Sequence, residues 1–219
     1  MRQSLGLQTA PEHVRTGGFK AVYRMWNARG KREALKAVFI PPAVSDEEIL
    51  RRDQLVARAT REVIALGQCE SPYLVRLGTV AAAMHTIGSN DYLVYSEEFL
   101  PGEPLNEWIG RQPPPSYEAL HALFTILISL IRALTQVGYL HRDIKPDNII
   151  DTGIEDRRFV MLDLGIAYKM HGTELTQGGT PPGTLRYMAP ELLRPDYKSN
   201  MDFRCDIYAS ALTIYVLAS

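Results

Sequence analysis

The stretch YLHRDIKPDNII, residues 139–150, narrows the possible folds more than any other part of the chain. Its eight central residues, His141 to Asn148, carry two acids, two strong bases, a histidine, an amide and a proline. Tyr139, Leu140, Ile144, Ile149 and Ile150 run through and around them. A solvated loop has no need of such flanks, so the cluster reads as polar groups held in place by a core. Directly before it, YEALHALFTILISLIRALTQVG is apolar nearly all round, which predicts a buried helix ended by Gly138. After it, NII reads as a short strand, DTGIEDRR as a turn and FVMLDLG as a second strand that runs into Asp163. A hairpin of these two strands brings Asp143, Lys145, Asn148 and Asp163 into one cleft.

The N-terminal part is different in kind. FKAVYRMW and EALKAVFI flank the polar turn NARGK and read as a hairpin ended by Pro41 and Pro42. Ser45 followed by Glu48 is a capping box, so a helix starts near Asp46. Ile49, Val56, Ala59, Val63 and Leu66 continue it at helical spacing, and Gly67 stops it. LVRLGTVAAA and DYLVYSEEF are further strand-like runs, and RQPPPS at 111–116 is a break. The order is a small strand-rich part with one helix, then a larger helical part, an α+β arrangement.

With 219 residues the chain suffices for one large domain or two small lobes. A formal net charge of −1 supplies no global field toward nucleic acid or a membrane surface, so neither is expected as a partner. Cys69 and Cys205 lie far apart and outside any C-x-x-C, which suits reduced core thiols and a cytoplasmic location. MRQSLGLQTAPEH contains no apolar core of a secretory signal, and no run of about 18 apolar residues is expected to cross a membrane. No histidine lies in a metal-ligand spacing.

An acid, a lysine two positions on, an amide five positions on and a second acid on the next strand meet the demands of phosphoryl transfer. That reaction needs a carboxylate near the attacking hydroxyl, cations about the moving phosphate and oxygen ligands for Mg²⁺. HRDIKPDN resembles the catalytic loop of eukaryotic-type (Hanks-type) serine/threonine protein kinases, H-R-D-x-x-x-x-N. DLG at 163–165 resembles that family's D-F-G, and GTLRYMAPE at 183–191 resembles the end of its activation segment. EALKAV resembles V-A-I-K and marks Lys36. The motifs stand in family order over residues 5–219. The resemblance implies a bilobal kinase-like fold, with a small β-rich N-lobe over 5–100 and a larger helical C-lobe over 101–219 that ends within its central helix.

The resemblance also implies roles. Asp143 would accept or orient the proton of the substrate hydroxyl, and Lys145 would stabilise charge on the transferring phosphoryl group. Asn148 and Asp163 would hold Mg²⁺. Lys36 would hold the α- and β-phosphates of ATP and be positioned by Glu62, while Thr184 would tether the catalytic acid and lysine. Asp206 would hold the backbone of the catalytic loop. Gly17, Gly18 and Val22 match parts of the glycine loop, but Arg15 and Lys20 stand where the family has glycines. Glu98 and Leu100 would offer backbone groups to adenine. The lysine after Asp143-Ile144 matches the serine/threonine branch, and the A-P-E segment favours a protein substrate. Phosphorylation of Thr173, Thr176 or Thr180 would pair with Arg142. The alternative is a weakly active or inactive kinase-like module that binds nucleotide or a partner. The absence of a Walker G-x-x-x-x-G-K-[ST] excludes a P-loop NTPase. CDIYASALTIYVLAS is apolar on most faces, so the last helix is expected to expose an apolar surface of an incomplete domain that self-associates or takes a covering partner.

Overall fold

Side-chain alternation along strands organises the first part of the chain. The computed structural model describes residues 10–17, 20–164, 168–169, 184–194, 196–197 and 201–219. The chain divides into two units, residues 1–64 with 76–99 and residues 65–75 with 100–219. In the first unit, β1 (Glu12–Gly17), β2 (Lys20–Trp26), β3 (Arg32–Ile40), β4 (Ala83–Ile87) and β5 (Asn90–Glu98) form an antiparallel sheet of order β1-β2-β3-β5-β4. The expected hairpin is β2–β3. Its turn closes because Asn27 Oδ1 accepts the backbone N–H groups of Arg29 and Lys31 at 2.9 and 3.0 Å, and Gly30 takes φ 70°.

Val22 lies opposite Lys36, and Lys36 opposite Tyr95. The period of two therefore places Lys20, Val22, Lys36, Val38, Tyr95 and Glu97 on one face of the sheet. Met25, Leu35, Ala37 and Val94 form an apolar cluster on the other face. Helix α1 (Asp46–Gln68) covers the first face, with Leu55, Val56, Ala59 and Val63 packed on Val38, Ile40, Leu93 and Tyr95. Its capping box is formed: Ser45 Oγ accepts the Glu48 amide at 3.3 Å, and Glu48 Oε2 accepts the Ser45 amide at 3.0 Å.

Two expectations about this region are corrected. The strand expected over 74–83 lies instead at β4, residues 83–87. The earlier segment changes partners, bridging Met161 at Leu74 and Glu97 at Leu77, so no ladder extends along it. The first unit is also not the continuous stretch 5–100. Ala65, Leu66, Cys69, Leu74 and Val75 belong to the apolar core of the second unit, because burial there outweighs continuity along the chain.

That second unit is built on α2 (Tyr117–Gln136) and α3 (Arg204–Ala218). Two short sheets accompany them: β6 (Glu103–Pro104), β8 (Ile149–Asp151) and β9 (Phe159–Met161) in the order β6-β8-β9, and β7 (Tyr139–Leu140) with β10 (Tyr168–Lys169). Ser116 caps α2 by accepting the Ala119 amide at 3.2 Å. The helix buries Ala119, Leu123, Leu127, Leu130, Ile131 and Leu134. It is not buried all round, as its composition suggests: Tyr117, Phe124 and Ile128 are exposed, because other elements cover only one face. Contrary to the sequence reading, this segment is long and apolar enough to cross a membrane by length and composition, although its inner face forms a protein core. Helix α3 buries Cys205, Asp206, Ala209, Ser210, Thr213, Val216 and Leu217 and leaves Tyr208 and Tyr215 exposed. Both cysteines are buried free thiols, and burial pushes that of Cys69 up to about 11, which suppresses its thiolate.

Candidate functional site

The residues singled out by sequence fall into two constellations, one in each unit. In the second unit the β8–β9 hairpin forms as expected, with Ile149 opposite Met161. The polar octet precedes it as a loop and a 3-10 turn, Pro146–Asn148, that leads directly into β8. The Leu162 amide donates to the Asn148 carbonyl at 2.7 Å, so the backbones carrying Asn148 and Asp163 are locked side by side. Asp163 has φ 60° and Arg142 φ 66°, left-handed conformations that side-chain-bearing residues adopt only where surrounding contacts hold them.

Asp143 is the hub of this constellation. Its Oδ1 accepts the Thr184 hydroxyl at 2.8 Å, and its Oδ2 accepts Lys145 Nζ at 2.8 Å and Asn148 Nδ2 at 2.9 Å. Lys145 Nζ also donates to Thr184 Oγ1 at 2.7 Å, which closes a ring of acid, lysine and hydroxyl. Asn148 Nδ2 has a second acceptor in the Asp143 carbonyl at 2.9 Å. With its amide nitrogen committed to Asp143, Asn148 keeps its Oδ1 as an acceptor, and the neighbouring backbone carries the Asp163 carboxylate, both hard-oxygen donor types. Among the described residues no group of three or more His, Cys, Asp and Glu could hold a metal by itself. Two protein oxygens that leave the remaining positions to water and phosphate suit Mg²⁺, so the donor set fits that ion.

The loop is held from beneath. Asp206, fully buried at the start of α3, accepts the His141 amide at 2.7 Å and the Arg142 amide at 2.8 Å. His141 is fully buried, and its Nδ1 accepts the Asp143 amide at 3.2 Å, which leaves the ring proton on Nε2. Burial holds the His141 imidazole below its ordinary range, against the opposing charges of Asp206, Asp143 and Asp163.

In the first unit, Lys36 extends from the middle of β3 and is buried. Glu62, on α1, lies 3.5 Å from Lys36 Nζ. The closer partner of Lys36 is Glu97 on β5, at 2.6 Å. Glu62 receives its short contacts from Lys20, whose Nζ is 3.0 and 2.9 Å from the two carboxylate oxygens. Lys36 Nζ also stands 5.7 Å from the centroid of the Tyr95 ring. Burial and the adjacent Lys36 and Glu62 charges act on Glu97 together, and burial dominates, so its carboxyl is pushed up.

Glu97 and the Lys20–Glu62 pair were missed in the sequence, although strand alternation carries the signal. Glu97 is two residues from Tyr95, which lies opposite Lys36, and Lys20 is two residues from Val22, which also lies opposite Lys36.

The remaining predicted positions are spread more widely. Gly17 ends β1, where an added Cβ would meet no atom of the described residues other than its chain neighbours within 4 Å. Val22 is buried in β2. Gly18 lies outside the described residues, as do Thr173, Thr176 and Thr180. The Glu98 amide donates to the Arg76 carbonyl at 2.9 Å. Leu100 is half-buried against the core of the second unit.

Comparison with known proteins gives these constellations a context. A family profile described as "Protein kinase domain" matches residues 10–219. The "Probable serine/threonine-protein kinase PknB" of Lactococcus lactis is 29% identical over 165 residues, 75% of this chain and 25% of that protein. The "Serine/threonine-protein kinase PknH" of Mycobacterium bovis is 32% identical over 159 residues, 72% of this chain and 25% of that protein. The "Serine/threonine-protein kinase PknD" of Mycobacterium tuberculosis is 30% identical over 199 residues, 90% of this chain and 27% of that protein. The chain thus spans about a quarter of the length of these curated relatives.

Proposed function

This chain belongs to the protein kinase domain family, and from that membership we propose that it transfers the γ-phosphoryl group of ATP to a serine or threonine hydroxyl of a protein substrate. The observation that carries the proposal is the closed ring of Asp143, Lys145 and Thr184 with Asn148 bonded to the same carboxylate. In this reading Asp143 Oδ2 orients the attacking hydroxyl and accepts its proton. Lys145, already fixed by two acceptors, offers positive charge to the equatorial oxygens of the moving phosphoryl group. Asn148 Oδ1 and the Asp163 carboxylate would hold Mg²⁺, which when bound neutralises charge on the phosphate oxygens. Lys36 would meet the α- and β-phosphates. The serine/threonine preference is supported by Lys145, Thr184 and the serine/threonine-protein kinases among the similar proteins.

A second reading is favoured by one observation: Lys36 is bound at 2.6 Å by a buried acid, Glu97. Lys36 is thereby drawn toward a strand acid and away from the Glu62 pairing that the family resemblance implies, as in a module that binds nucleotide and signals without fast transfer. One experiment separates the two. The purified protein is incubated with Mg·ATP and a generic basic substrate protein, and added phosphate is found by mass spectrometry, with Asp143→Ala as control. Phosphoserine or phosphothreonine that disappears in the control supports the kinase reading. Nucleotide binding without any transfer supports the second.

A further inference from the structure

The lysine–acid cluster of the first unit contains one cation and one anion more than a single Lys36–Glu62 pair. Glu62, Glu97 and Lys36 are almost completely buried, with 1, 1 and 4% of their surface exposed. Two buried carboxylates beside one ammonium compete for it, which favours a second cation at the cluster. Lys20 supplies one. It reaches across from β2 to both oxygens of Glu62, at 2.9 and 3.0 Å, while Glu97 takes Lys36 at 2.6 Å. The exchange of partners is therefore coupled: an acid on β5 draws off Lys36, and a lysine on β2 takes the helix acid in its place.

The two ammonium groups differ in access. The Lys36 side chain is 5% exposed, whereas that of Lys20 is 21% exposed, and Lys20 pairs across the strands with Gly17, the end of β1. An anion approaching this edge of the sheet meets the Lys20 charge before the Lys36 charge. We infer that Lys20 is a phosphate-directed, nucleotide-positioning residue anchored by Glu62, and that Glu97 positions Lys36 as the inner member of a pair. This inference rests on the nucleotide-binding reading above and assigns the phosphate contact within it to two lysines instead of one.

The test combines binding with stability. Wild type, Lys20→Met, Glu97→Gln and the double variant Lys20→Met/Glu97→Gln are titrated with Mg·ATP and, separately, with adenosine, which carries no phosphate. Their thermal midpoints are recorded without ligand. Lys20→Met is expected to weaken ATP binding by about tenfold or more and to leave adenosine unchanged. Its midpoint should fall, and the double variant should regain much of the loss, because Glu97 then no longer competes with Glu62 for Lys36. ATP affinity equal to wild type in Lys20→Met, or an equal loss for ATP and adenosine, overturns the phosphate assignment while leaving nucleotide binding intact. A wild type that binds neither ligand overturns the nucleotide reading and the phosphate assignment with it. A double variant no more stable than Lys20→Met overturns the charge-compensated cluster, whatever the binding data show.

Discussion

Asp206 holds Arg142 in a conformation that its own side chain disfavours. The Arg142 backbone sits at φ 66°, and its amide donates to Asp206 Oδ1 at 2.8 Å across 64 residues of sequence. The other oxygen of the same carboxylate takes the neighbouring amide, that of His141. Burial pushes the Asp206 carboxyl up, and these two amides and the nearby His141 and Arg142 oppose that rise. One buried carboxylate thus spans the peptide unit from which Asp143 follows.

Replacing Asp206 by alanine removes both acceptors and leaves two backbone donors without them. At about 1.5–3 kcal/mol for each hydrogen bond to a charged group, a loss of about 3 kcal/mol or more is expected in chemical denaturation. Asp206→Asn keeps one acceptor oxygen but points an N–H₂ at the second amide, so it should be only partly milder. An Asp206→Ala variant within about 1 kcal/mol of wild type would show that the loop holds itself.

The Thr184 hydroxyl donates to Asp143 and accepts from Lys145. Thr184→Val preserves shape and removes both bonds. Phosphoryl transfer should fall by about tenfold or more, with folding stability changed by only about 1 kcal/mol, whereas Thr184→Ser should keep most of the activity. Steady-state kinetics on the two variants make the comparison. Equal rates in the valine variant and wild type would contradict the tether.

Asp163→Asn separates chemistry from folding. Asparagine tolerates the φ of 60° that Asp163 adopts, so the backbone should be retained. If Asp163 holds Mg²⁺ as proposed, the variant loses a ligand charge, and transfer should fall by more than about tenfold, equivalent to about 1.4 kcal/mol of barrier. The thermal midpoint, measured alongside, should stay near wild type. A smaller drop in turnover would remove Asp163 from the metal site.

Gly102 packs its α-carbon against the backbone of Asp151. It has φ 96°, and an added Cβ would stand 1.9 Å from the Asp151 carbonyl oxygen. Gly102→Ala should therefore cost at least about 2 kcal/mol, from left-handed strain plus displacement of β8. Urea denaturation reads this directly, and an unchanged midpoint would mean that the β6–β8 pairing yields without cost.

The buried His141 should make stability depend on pH. Its folded-state pKa lies below the ordinary value of 6.5 because burial disfavours the imidazolium. As pH falls through 6.5 the unfolded chain takes up a proton that the folded chain refuses, so stability present above that value is lost toward the folded-state pKa. His141→Gln keeps an acceptor for the Asp143 amide but cannot take the proton. Its stability should decline less steeply than that of wild type on acidification below 6.5. Parallel curves would assign the acid sensitivity to other groups.

The local signals in this chain were legible because they depend on neighbours in sequence. Ser45 and Glu48 sit three residues apart and cap α1. The spacing of Asp143, Lys145 and Asn148 lets one short loop carry all three, and Thr184 was found through motif resemblance. Burial of α2 was misjudged because composition reports how apolar a helix is, not how many faces other elements cover. Glu97 was invisible for a related reason. Read along the chain it is one acid beside another in YSEEF, and only the pairing of β3 with β5 decides that it, and not Glu98, turns toward Lys36. Sequence settled which charges are present and which of them share a loop or a strand face. The tertiary structure decided which lysine meets which acid, because Lys20 and Lys36 can pair with Glu62 and Glu97 in more than one way, and only strand register and helix placement select among them.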